Sequence, residues 1–427
     1  MRTLAVNRPR KPRSDRRQRV PPALTRGSER VDGISILDEV SGDLGLLLWR
    51  SARNVTLWAE TPAEQRPTLF PDDAARSRAA DLSRADVPQE LHGPLSVLTE
   101  LLARPGEVDL LRLVNACRRI AVWAEQRGEL ATALEFSQAA ALAAPESASL
   151  AYAVGRLARR RAEYDRAESW YTRAAVQGRQ SLDWRSYANA FTGMGNLHMQ
   201  RGNYPAARRA HLRSLHTAER NGLVDVVGGA YHDLFLTAVE TGAGHEADAL
   251  AANAFRAYGT KDKRISRLGY DVAYHWALQG YFARALKVAQ ALVPHMVDDS
   301  ERAVVLGLIA RAAAGLGNRE LFLTAAAETR LLAERDGARE TAARALLGVV
   351  YGAANLGEWE LAQDVGTRAV NIARQRSEGR VLLATEAALD SVQNRYVFVS
   401  EAAPDSSAAE VLATDFVAAL GGIAAGV

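Results

Sequence analysis

Side chains able to move protons, hold metals or grip anions are concentrated in a few short stretches of this chain. Between Met194 and Leu215, "MGNLHMQRGNYPAARRAHLRSL" carries His198 and His211. A metal or acid–base pair built on them would need a third ligand, or a carboxylate to orient an imidazole. No Asp or Glu occurs between Asn196 and Ser214, so no reaction site is expected there. His245-Glu246 opens like a zinc-protease motif, but residue 249 is Ala where the second His is required. "GMGNLH" begins like a dinucleotide loop yet lacks the third glycine and a preceding strand. None of the four lysines follows a glycine, which excludes a P-loop. The single cysteine, Cys117 in "LVNACRRIAVWA", excludes an internal disulfide and a multi-cysteine metal centre, and reads as a small buried hydrophobe. No catalytic residue, metal ligand or cofactor site is expected.

Charge is unevenly placed. Residues 1–30 carry a net +8 and the remaining chain a net −5. Residues 1–32 are Arg/Pro-rich and expected to be a disordered basic arm. Any nucleic-acid association would run through residues 1–30, by salt-dependent attraction to phosphates. The arm lacks the interleaved aromatics that stack on bases. In the body, "GRLARRRAEYDRAE" groups Arg156, Arg159, Arg160 and Arg161, either as a solvated helix end or as a basic wall for an acidic partner. No apolar stretch follows the N-terminal charges, and no run approaches the ~18 apolar residues of a membrane span. The expectation is a soluble, cytoplasmic protein with no membrane partner. The 49 arginines against four lysines read as GC-rich bacterial coding.

The elements that would position these residues repeat. "WAEQRGELATALEFSQAAAL", "LARRRAEYDRAESWYTRAAV", "HMQRGNYPAARRAHLRSL", "WALQGYFARALKVAQAL" and "AANLGEWELAQDVGTRAV" each read as an apolar helix, a tight turn and a second apolar helix. The turns fall at Gly128, Ala162, Gly202, Gly242, Gly280, Gly317 and Gly357, spaced 34, 40, 40, 38, 37 and 40 residues apart. Glycine suits the left-handed conformation that ends a helix. Asn203 is placed to cap the following helix, with Pro205 in its first turn. Five residues after the turn stands Ala133, Ala167, Ala207, Ala247, Ala285 or Ala362, small enough for two helices to approach closely. The sixth unit has Phe322 instead, which requires different local packing. Ala121, Gly155, Gly195, Ala273 and Ala310 supply the facing small residue on the first helix.

This arrangement resembles the tetratricopeptide repeat (TPR) family over roughly 260 residues. The spacing exceeds the basic repeat of roughly 34 residues and is similar to the long repeats of bacterial regulators, although no DNA-binding or ATPase module accompanies it. The resemblance implies an all-α, right-handed α-solenoid of about seven TPR-like helical hairpins with an N-terminal helical cap. The expected organisation is a basic arm over 1–32, a cap region over 33–106, the solenoid over 107–378, and a closing helix and tail over 379–427. Asp405 and Ser406, after Pro404, look like a cap for a last short helix. In the resemblance His198 and His211 fall in the seam between paired helices, where aromatics are usual.

The resemblance further implies that the first helix of each pair lines a concave groove for a protein or peptide ligand. The residues so placed are Arg118, Tyr152, Arg156, Arg159, Asn189, Thr192, Asn196, His232, Tyr270, Tyr274, Arg311 and Tyr351, with Asn115, Glu125 and Arg344 alongside. Asparagine can pair with an extended backbone, tyrosine gives contact area, and arginine can grip a carboxylate. The reading is a non-enzymatic protein-interaction scaffold. The alternative is a peptide-responsive sensor that controls a transcription regulator.

Overall fold

In the computed structural model, the described residues are 34–335, 341–376, 378–398 and 407–424. The basic arm and the cap expected at Pro404–Ser406 lie outside them. The described residues are helical throughout, with no strand among them. The chain divides into two compact units that meet at 226/227, inside one helix.

The first unit opens with α1 (Ser35–Glu39) and α2 (Gly42–Glu60), then α3 (Ala74–Arg84) and α4 (Gln89–Ala103). Three hairpins follow: α5 (Leu110–Gln126) with α6 (Leu130–Ala143), α7 (Ala148–Arg160) with α8 (Tyr164–Gln180), and α9 (Trp184–Gln200) with α10 (Tyr204–Arg220). In α2 the helix-spaced apolar residues Leu47, Leu48, Val55 and Trp58 are buried and Leu44 is half-buried. The sequence did not mark α3. The N-terminal helices dock on the first hairpin, α2 against α6 and α4 against α5. Glu39 fixes that docking. Its carboxylate accepts hydrogen bonds from the amides of Ala131 (2.7 Å) and Thr132 (2.8 Å) at the start of α6. These are unpaired helix-end donors, and a carboxylate there also complements the helix dipole.

The second unit contains α11 (Val224–Glu240), which starts just before the boundary, with α12 (Gly244–Tyr258). Next come α13 (Arg264–Leu278) with α14 (Phe282–Leu292), α15 (Asp299–Gly315) with α16 (Arg319–Leu332), and α17 (Ala342–Asn355) with α18 (Trp359–Gln375). The expected closing helix is α19 (Gly379–Gln393), packed on α18 and α17, and α20 (Ser407–Ala424) returns to α14, α13 and α12.

All seven turn positions read from the sequence have positive φ, between 60° at Ala162 and 82° at Gly280. Ala162 adopts this conformation against its side-chain preference. Leu182, with φ 61°, does so between hairpins, where the repeat pattern gave no signal. The alanines five residues after the turns are fully buried. Asn203 accepts a hydrogen bond from the Ala206 amide at 3.2 Å, the predicted cap. Where Phe322 replaces the usual alanine, it is also fully buried. It sits against Gly352 of α17, where a Cβ would come within 2.9 Å of its ring. The missing small residue on one helix is thus balanced by a glycine on its neighbour. His211 is fully buried over Gly195, where a Cβ would lie 2.2 Å from the imidazole. The opening stretch is therefore a packed seam of the scaffold. Cys117 is buried, and burial pushes its thiol up to about 12, so it stays protonated.

Candidate functional site

In the first unit the predicted groove residues form stripes on the first helices of the hairpins. Tyr152, Arg156 and Arg159 share one face of α7, at spacings of four and three residues. Asn189, Thr192 and Asn196 share one face of α9 in the same way. The two helices are in contact. Arg118 is exposed on α5.

Charge in this stripe is already spoken for. Arg156 donates to both oxygens of Glu125, at 2.5 and 2.6 Å, and Arg160 donates to the same carboxylate at 2.5 Å. The Arg156 hydrogen bond holds the Glu125 carboxyl below its ordinary range against a smaller opposing effect of burial. Arg156 and Glu125 were both expected to face a partner; the structure brings them to each other. Signal for this existed in the repeat frame, which puts the two residues on adjacent first helices less than a turn apart in register. Tyr152 lies 6.0 Å from Tyr171, ring to ring. Burial raises the Tyr171 hydroxyl to about 12, tempered by the nearby Arg159.

The polar groups left open lie on α9. Asn189 and Asn196 are half-buried, and their amides make no hydrogen bond among the described residues. Thr192, between them, shares its hydroxyl with Ser214 of α10 at 2.9 Å, which ties the stripe to its own hairpin.

In the second unit His232 is buried rather than groove-lining. Its Nε2 lies 2.9 Å from Asp271 of α13, and its Nδ1 lies 3.4 Å from the Tyr258 hydroxyl of α12. It works as a strut between three helices. The remaining predicted residues converge. Tyr270 and Tyr274 of α13, Arg311 of α15, and Arg344 and Tyr351 of α17 line one small cavity. Tyr270 and Tyr274 are stacked at 6.2 Å with their planes 22° apart. The Arg311 guanidinium lies over the Tyr351 ring at 4.4 Å.

Two features of this cavity escaped sequence reasoning. First, α15 and α17 meet backbone to backbone: a Cβ on Gly348 would lie 2.3 Å from the Gly307 carbonyl oxygen, and a Cβ on Gly307 equally close to that of Ala345. Only glycines permit this approach, which seats Arg311 deep beneath Tyr351. Second, Phe398, beyond α19, packs edge-on against Tyr351 at 4.6 Å, and its amide donates to the Asn355 side chain at 3.1 Å. A lone phenylalanine five residues past a helix carries no sequence signal for that return.

No group of His, Cys, Asp and Glu among the described residues could hold a metal ion. No helix among them is long and apolar enough to cross a membrane.

No protein-family model matches the chain, and no curated protein matches it. Similar solved structures are helical-repeat proteins. A Rap protein complexed with competence and sporulation factor is 12% identical, with a TM-score of 0.48, over 79% of this chain and 99% of that one. The apo form of RapI is 12% identical, with a TM-score of 0.44, over 86% of this chain and 99% of that one. The TPR2AB domain of yeast Sti1 is 12% identical, with a TM-score of 0.25, over 66% of this chain and 98% of that one. At such identities and scores the architecture rests on the hairpins themselves.

Proposed function

We propose that the protein is a non-enzymatic scaffold that binds a peptide or a helix of a partner protein along the first helices of its hairpins. The observation that carries this reading is the α9 stripe. Asn189 and Asn196 are held half-buried on one rigid face, two turns apart, with uncommitted amides. A primary amide both donates and accepts, which suits the alternating N–H and C=O groups of an extended chain. Their separation along the helix, about 10 Å, is close to three residues of extended peptide. Affinity would come from several modest contacts on a preorganised surface rather than from one deep pocket.

The test compares affinity purification by the wild-type chain with that by an Asn189→Ala, Asn196→Ala double variant whose helical circular dichroism is unchanged. Specific partners should be lost from the variant; a partner set that survives intact overturns the α9 assignment. Arg156→Glu would be a poor probe, because it sets two carboxylates against each other inside the scaffold. In the sensor version of this reading, a bound peptide alters the interaction with a transcription regulator, and the same variant would lose that control.

A further inference from the structure

Arg311 is 8% exposed, and its Nε and Nη1 are closed off from solvent with no hydrogen-bond partner. The guanidinium lies over the face of Tyr351. A buried guanidinium ordinarily ends on a carboxylate, because a cation removed from water loses strong hydration; even the half-buried Arg156 does so. Here no Asp or Glu lines the cavity; its polar lining is two arginines and three tyrosines. Arg344, at the exposed edge, makes no hydrogen bond or ion pair among the described residues. Nor do the hydroxyls of Tyr270, Tyr274 and Tyr351 make a hydrogen bond among them. Burial pushes the Tyr270 and Tyr351 hydroxyls up, so both remain protonated donors at neutral pH. The lining is thus donor-rich and positively charged around a free space of ≈ 10 Å³, room for about one water-sized atom.

We propose that the cavity between α13, α15 and α17 binds a single anionic atom, either a chloride-sized ion or one oxygen of a carboxylate, held by Arg311 with Arg344 at the mouth. The carboxylate would belong to the peptide ligand, and only that source rests on the proposed peptide-binding function; binding of a free ion does not. A space this small takes one oxygen of an anion rather than a whole carboxylate or phosphate. The missing counter-charge is then a ligand's, and the fold tolerates a desolvated cation in order to receive it.

The experiment is thermal unfolding of the full chain at constant ionic strength, in sodium methanesulfonate, chloride or formate. Chloride or formate should raise the wild-type Tm by several degrees over methanesulfonate, whose anion is bulkier than either and a weaker hydrogen-bond acceptor than a carboxylate. In Arg311→Met the anion-specific difference should vanish. In methanesulfonate this variant should melt no lower than wild type, since it no longer buries an unpaired charge. Arg344→Gln, at an exposed position, keeps the fold and should weaken the anion response several-fold. An identical anion response in wild type and both variants overturns the proposal. A chloride response without a formate response assigns the free ion. A response to formate, together with preference for a peptide ending in a free carboxylate over its amide, assigns the partner. If a peptide partner binds wild type and Arg311→Met equally and no anion shifts Tm, this proposal falls while the groove reading stands. If anions shift Tm and no peptide binds, the reverse holds.

Discussion

Arg156 in the first unit and Arg311 in the second occupy equivalent places, each on the first helix of a hairpin, and they meet opposite fates. Arg156 reaches Glu125 on the first helix of the preceding hairpin and is neutralised in a two-pronged ion pair. Arg311 meets only tyrosines, and its burial lowers its affinity for its proton. A repeat frame therefore fixes where a side chain is presented but not what it finds opposite. That depends on the residue one repeat away. At this position the first unit pairs its arginine with a carboxylate, and the second leaves its arginine without one.

The comparison can be broken most severely through the backbone. Gly348→Val would drive a side chain into the Gly307 carbonyl, and forcing α15 from α17 should cost about 3 kcal/mol or more. Amide exchange in α15 and α17 should accelerate while α7 and α9 keep their protection; unchanged exchange in α15 would refute the close contact.

Removing the counter-charge in the first unit comes next. Glu125→Ala leaves Arg156 and Arg160 without their shared carboxylate. Both are partly solvated, so the loss should be about 1 kcal/mol, below the full value of a buried pair. Arg311→Met should move stability the other way or not at all in the absence of a bound anion. Urea midpoints compare the two, and equal losses would mean that the two arginines are held alike.

Acid sharpens the same contrast. The Glu125 carboxyl is held below its ordinary value of 4.5, so its ion-pair stability is complete above that pH and is lost as pH falls through the lower folded value. Glu125→Gln should flatten this part of a stability–pH curve. Burial lowers the pKa of His275 in the second unit from 6.5, so the folded state disfavours its charged form. Stability from that source is present above 6.5 and declines as pH falls below it. His275→Phe should remove this decline without touching the region below 4.5.

The smallest effect is a control. Ala162 ends α7 with φ 60°, a conformation glycine accepts freely. Ala162→Gly should stabilise by about 0.5–1 kcal/mol without altering either arginine. A loss in Tm would mean that the Ala162 methyl group contributes packing beyond the turn.

Much of the fold was legible because its causes are local. A left-handed turn residue, a cap such as Asn203 and a small residue facing a larger one act within one hairpin, over tens of residues. The sequence accordingly marked all seven turns, the buried alanines and the compensation required at Phe322. It missed α3, whose residues are all at least partly exposed and therefore leave no apolar stripe to read. The site was legible in part. The repeat frame nominated Tyr270, Tyr274, Arg311 and Tyr351 as residues of one face, and the structure gathers them around one cavity. The frame misread His232, which Asp271 draws into the wall.

The sequence by itself determined that helices pair and where they turn, because both follow from periodicity and from the conformational limits of individual residues. Only the tertiary structure decided that Arg156 is quenched, that Arg311 is left bare, and that Phe398 returns to Tyr351. Those outcomes depend on how neighbouring hairpins settle against one another to within an ångström, as at Gly307 and Gly348. Charges gain or lose their partners over distances of that size.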